Sequence, residues 1–148
     1  MPMNELLYII IFCIFGLCIG IVDFRRQKIP DILLLILAGL LVVADFIWNR
    51  STIPYKLVAG LGAYGLFYAV YRLRGGLGYG DVKYAGVIGY FLGPWYILFG
   101  LLFAVLLGLA YWSLGRMIFK WGREKRFPFG PWLGCGAMAA KLLSWWSA

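Results

Sequence analysis

Long apolar runs alternate with short polar clusters along this chain. The first run, Asn4–Val22, closes at Asp23 and the cluster Phe24-Arg25-Arg26-Gln27-Lys28. Pro30 and Asp31 then read as a helix start, since proline is tolerated in a first turn and an acid is favoured at the positive end of a helix. The second run covers Ile32–Trp48, with Asp45 near its far end, and the short stretch Arg50–Pro54 leads to the third, Tyr55–Leu73. The fourth, Asp81–Gly93, stops before Pro94, and the fifth covers Trp95–Leu114. After the longest polar stretch, 115–129, the sixth covers Gly130–Trp146. A bilayer core of about 30 Å takes about 20 apolar residues as helix. The pattern therefore predicts an all-α polytopic membrane protein with six transmembrane helices.

Composition agrees with that reading. The chain is 64% hydrophobic and 14% charged, too apolar for a soluble domain of this size. Residues 1–148 are expected to form one membrane-embedded domain, with no room for a separate soluble one. The six runs differ in length and in the residues that close them, and the chain shows no internal repeat and no low-complexity segment.

The formal net charge of +8 would suggest nucleic acid in a soluble protein. Here its distribution points to lipid instead, and no nucleic-acid partner is expected. Arg25, Arg26 and Lys28 form one basic segment; Arg72, Arg74 and Lys83 form a second; Arg116, Lys120, Arg123, Lys125 and Arg126 form a third. With six helices and the N-terminus outside, these eleven of the fourteen cations share the cytoplasmic side, as the positive-inside rule requires, where they face anionic lipid. Arg50, Lys56 and Lys141 remain outside. Glu5 is the only charged side chain before Asp23, so the basic region of a cleavable signal peptide is missing and the first helix is expected to be retained.

The stretch Gly75-Gly76-Leu77-Gly78-Tyr79-Gly80-Asp81-Val82-Lys83 breaks the apolar pattern. Glycine frees the backbone, and an acid inside a membrane needs a role. The helix that follows has only 13 residues before Pro94, about 20 Å at 1.5 Å per residue. If it begins inside the membrane, the preceding backbone lines a protein-buried or wet cavity.

Two acids end up at the cytoplasmic side, Asp23 closing the first helix and Asp81 opening the fourth. Gly16, Gly20 and Asp23 are spaced four and three apart; Asp81, Ala85, Gly89 and Gly93 are spaced four apart. Each acid lies on a small-residue face, and such faces let membrane helices approach closely. Gly100, Ala104 and Gly108 make another such stripe without an acid, so a stripe alone reads as ordinary packing. If the two acid-bearing stripes pack together, the carboxylates meet. Two adjacent carboxylates share a proton, one acting as base and the other as acid. That suits attack of water on an amide carbonyl. With no histidine in the chain, Ser-His-Asp and Cys-His sets are excluded, as is a zinc site. No cofactor or metal is expected.

The remaining polar residues carry less. Asp31 reads as a helix-start acid, Lys83 as one more inside cation, and Asp45 has no evident partner. Cys13, Cys18 and Cys135 lie in apolar runs without a CxxC pair and read as buried packing thiols.

Val22-Asp23-Phe24-Arg25-Arg26-Gln27-Lys28-Ile29-Pro30-Asp31 resembles the first catalytic segment of the type IV prepilin peptidases and their archaeal preflagellin relatives. Gly78-Tyr79-Gly80-Asp81-Val82-Lys83 matches their GxGD segment, and Phe127-Pro128-Phe129-Gly130-Pro131 resembles the proline-rich start of their last helix. The three matches fall in the family's order. The resemblance implies a multi-pass aspartyl endopeptidase of the cytoplasmic membrane, which removes the basic leader of prepilin or pseudopilin precursors at the cytoplasmic face. It implies Asp23 and Asp81 as the catalytic carboxylates, Gly78 and Gly80 as shaping the approach of substrate, and Lys83 as a neighbour of the site. It also implies a precursor protein and membrane lipid as partners. Many bacterial members carry an added N-terminal region with paired CxxC motifs and methylate the new N-terminus; the likeness here is to the peptidase core, and no methyltransferase activity is expected.

Two other readings stay open on the residues alone. A presenilin-like or signal-peptide-peptidase-like intramembrane protease also uses GxGD, but its first acid follows tyrosine, where this chain has Val22. A small transporter or scaffold could use the acids as ion or proton sites, although both acids fall at one membrane side.

Overall fold

The computed structural model describes residues 3–74, 77–118 and 129–146. Gly75, Gly76 and the segment holding Lys120, Arg123, Glu124, Lys125, Arg126, Phe127 and Pro128 lie outside the described residues. Five α-helices follow in order: α1 Met3–Arg26, α2 Asp31–Trp48, α3 Ile53–Arg74, α4 Tyr79–Ile118 and α5 Gly130–Trp146, with a 3-10 turn Arg50–Thr52 before α3. Among the described residues the protein is all-α. Four stretches, Met3–Arg26, Asp31–Trp48, Arg50–Leu73 and Tyr79–Ile118, are long and apolar enough to cross a membrane.

Five helices stand where the apolar runs predict six, because the fourth and fifth runs are continuous as α4. They are not collinear. Gly93 has φ 75° and ψ 179°, outside the helical region, and Pro94 follows it. Glycine takes this positive φ at no steric cost, and proline removes the next helical amide. Leu92 packs onto Gly100, eight residues on. Along a straight helix those residues are about 12 Å apart, so the chain changes direction sharply at Gly93–Pro94.

α4 is the centre of the packing. Its first half lies on α3 through glycine contacts: Cβ atoms at Gly60 and Gly89 would stand 2.9 Å from the Gly86 carbonyl and 2.6 Å from the Ala59 carbonyl. Its second half lies on α5, where Gly100 and Ala104 meet Gly136. The stripe of Gly100 and Ala104 thus serves close helix packing.

The two acid-bearing stripes do not pack on each other, contrary to the sequence expectation. Gly20 of α1 faces Pro131 of α5, and Gly16 faces the Tyr84 hydroxyl; Gly89 of α4 faces α3. What joins α1 to α4 is aromatic: Phe12 stacks on Phe91 at 3.9 Å between ring centroids, and Tyr8 stacks on it at 5.3 Å. Tyr84 fills the gap between Gly16 and Gly134. Large side chains on α4 keep α1 at a distance, and α1 uses Gly20 to approach α5. The core around these rings holds Ile19, Leu37, Leu41, Ile88 and Leu133.

The outward faces are apolar, with Leu17, Ile32, Leu61, Trp95 and Leu98 all exposed. That is the pattern of helices whose solvent is lipid. Cys18 and Cys135 are exposed as well, and Cys13 is half-buried with its sulfur 3.7 Å from that of Met138. The expectation of buried packing thiols is therefore wrong for two of the three, because their helix positions face outward.

Candidate active site

Asp23 lies in the last turn of α1. The helix ends just beyond it. The Gln27 amide donates to the Asp23 carbonyl at 2.8 Å, and Gln27 takes φ 51°, the left-handed conformation that commonly closes a helix. Four residues, 27–30, then lead into α2, where the Leu33 and Leu34 amides donate to the Pro30 carbonyl. The Asp23 side chain is buried, with 5% relative exposure. The backbone amide of Gly130, at the start of α5, donates to its Oδ2 at 3.1 Å.

Asp81 is the third residue of α4. Gly78, just before the helix, accepts from the Asp81 and Val82 amides at 3.0 and 3.4 Å. The Gly78 amide donates back to Asp81 Oδ2 at 3.2 Å. An acid at this position returning to the amide ahead of the helix is half of a capping box. Local sequence alone thus fixes this carboxylate: glycine opens the turn, and the acid satisfies an amide that the helix leaves free.

Ile29 joins the two halves. A Cβ at Gly80 would stand 3.0 Å from Ile29 Cβ, and one at Gly130 would stand 3.2 Å from Ile29 Cδ1 and 2.7 Å from Asp23 Oδ2. The residue beside Asp81 and the residue bonded to Asp23 therefore rest on one buried side chain. One end of the bundle thus collects the end of α1, the starts of α2, α4 and α5, and two carboxylates that each accept a glycine amide. Such a pair can hold one proton between them and act as acid and base together.

Lys83, one turn into α4, reaches Asp31 of α2 at 2.7 Å and lies 4.8 Å from the Tyr79 ring centroid. Asp31 is thus more than a helix-start acid; it ties α2 to α4. Asp45, which the sequence left without a partner, also has one. Lys56 reaches both its oxygens, at 2.8 and 2.9 Å, and the Tyr8 hydroxyl donates to Oδ2 at 3.2 Å. Lys141 pairs with Glu5 at 3.0 Å nearby. These groups sit at the opposite end of the bundle from Asp23 and Asp81, on the start of α1, the end of α2, the start of α3 and the end of α5.

Ile29 and Gly130 are site residues that residue type did not single out. Their signal lay in the pattern: an apolar Ile-Pro inside a basic loop, and Gly-Pro opening the last helix. Neither carries a chemical group that marks it, and only the fold brings them to the acids.

Residues 10–113 match the type IV leader peptidase family. This chain belongs to that family. The family's members are aspartic leader peptidases, and the matched span contains Asp23, Gly78, Gly80, Asp81 and Lys83 but not Gly130. Leader peptidase HopD of Salmonella typhimurium is 34% identical over 93% of this chain and 92% of its own length. Prepilin leader peptidase/N-methyltransferase of Escherichia coli is 31% identical over 86% of this chain, and that of Bacillus subtilis is 28% identical over 93%. The chain spans 58% and 56% of these two relatives. No solved structure matches it.

Proposed function

We propose that this leader peptidase hydrolyses its precursor with Asp23 and Asp81 as the catalytic carboxylates. The observation that carries this is their meeting at one end of the bundle, each on a glycine amide, around Ile29. One carboxylate, ionised, takes a proton from water as the oxygen adds to the scissile carbonyl. The other, protonated, donates to the carbonyl oxygen. The tetrahedral intermediate then collapses with cleavage of the C–N bond, and a proton passes to the leaving amine. The backbone amides of Gly78 and Gly130 hold the acids in place without supplying protons. Gly78 and Gly80 leave room beside Asp81, where a side chain would press on the carboxylate or on Ile29.

The substrate is a prepilin-like or pseudopilin-like precursor with a basic leader ahead of an apolar helix. α4 supports six crossings rather than five: 40 residues of helix would reach about 60 Å, twice the hydrocarbon core, and Gly93 divides them. The basic residues near Asp23 and Asp81 support a cytoplasmic site with the start of α1 outside, and residues 1–148 act as one domain. Incubation of purified protein with a prepilin, followed by mass spectrometry, tests the reading. Cleavage at one bond by the wild type and none by Asp23→Ala or Asp81→Ala is expected; full cleavage by either variant removes the paired-acid mechanism.

A further inference from the structure

We infer that Asp31 and Lys83 form a latch that positions the catalytic pair, an inference that rests on the reading of Asp23 and Asp81 as that pair. The two ends of the latch lie close to the acids along the chain. Asp31 follows Asp23 by eight residues, through the turn 27–30 that carries Ile29; Lys83 follows Asp81 by two. With Ile29 resting on Gly80, the 2.7 Å contact between them closes a ring of Ile29, Asp31, Lys83 and Gly80, with Asp81 next to Gly80 and Asp23 six residues before Ile29. Ile29 sits within that ring, buried against Gly80 and beside Gly130.

Stability is not what this ion pair contributes. Its side chains are 32% and 68% exposed, and exposed ion pairs contribute little to stability. The start of α2 does not need the acid as a cap either, since no side-chain hydrogen bond caps that helix. What the contact does is geometric. Apolar packing of Ile29 has no direction of its own, so the turn could slide or lift on Gly80. The Asp31–Lys83 bond fixes the far end of the turn to the helix that carries Asp81. With both ends held, Asp23 keeps one separation from Asp81. Two carboxylates acting on one water tolerate little error, and a displacement of about 1 Å can lower a rate about 10²-fold. Asp31 and Lys83 are therefore positioning residues, which act through Ile29 and the two acids rather than on the substrate.

A double-mutant cycle on the full chain in detergent micelles tests this, with a purified prepilin as substrate. Asp31→Asn and Lys83→Met are each expected to lower kcat at least tenfold, with KM within twofold and the thermal unfolding midpoint unchanged. The double variant is expected to be no slower than either single one, because the bond can be broken only once. Lys83→Arg, which keeps the bond, is expected to retain most activity. Asp31→Glu, which keeps the charge on a longer arm and leaves the fold least disturbed, is expected to lose kcat several-fold. Losses that multiply in the double variant, a rise in KM in place of a fall in kcat, or full activity in both single variants would each overturn the latch. Asp23→Asn and Asp81→Asn run alongside separate the two failures. If they are inactive while the Asp31 and Lys83 variants are fully active, the latch fails and the paired-acid reading stands. If they cleave, the reading beneath it fails.

Discussion

The amide of Gly130 donates to Oδ2 of Asp23 at 3.1 Å, across 107 positions of sequence. This bond brings the start of the last helix to the end of the first. It also leaves no room for a side chain at Gly130, where a Cβ would stand 2.7 Å from the same oxygen. Gly130→Ala is therefore expected to displace the Asp23 carboxylate and lower kcat by about 10–10²-fold, with little change in the unfolding midpoint. Steady-state kinetics beside thermal unfolding check it. Wild-type kcat in the alanine variant would show that Asp23 does not depend on this contact.

The opposite end of the bundle is held by a buried charge pair. Asp45 is 3% exposed, and Lys56 reaches both of its oxygens. Lys56→Met strands the carboxylate and is expected to cost about 3–5 kcal/mol. Asp45→Asn combined with Lys56→Met removes both charges and should recover most of that loss. Unfolding by added denaturing detergent measures both. Cleavage by the double variant is expected to stay near wild type, since these groups lie far from Asp23 and Asp81 along their helices.

Close packing of α3 on α4 makes a third expectation. A Cβ at Gly89 would stand 2.6 Å from the Ala59 carbonyl and 2.9 Å from Ala63 Cβ, whereas one at Gly39 would meet nothing within 4 Å. Gly89→Ala is expected to destabilise by about 1–3 kcal/mol. Gly39→Ala should be neutral or add up to about 1 kcal/mol through helix propensity. Equal unfolding midpoints for the two variants would contradict this packing.

Helix positions were legible because lipid demands long apolar runs with their backbone satisfied internally. Gly130–Trp146 was read with the bounds the structure has, and the others fell within a few residues of theirs. The break at Gly93–Pro94 was legible too, since both residues oppose a straight helix. Asp23 and Asp81 were read as a pair from charge and motif, and in the fold each accepts a glycine amide at the same end of the bundle. Which helix faces which was not. A small-residue stripe says that something approaches closely, not what approaches, and Gly20 meets Pro131 rather than α4. The Asp45–Lys56 and Asp31–Lys83 bonds were hidden for the same reason: each joins helices whose rotation about their axes is set by tertiary packing.

The most direct test of the central claim compares Asp23→Asn, Asp81→Asn and the double variant in cleavage of a purified prepilin. Residues that act as one unit are non-additive. Each single variant is expected to lower kcat by at least about 10²–10⁴-fold, and the double variant to be little slower than either. Substantial cleavage by either single variant, or losses that multiply in the double, would contradict a site in which the two carboxylates work together.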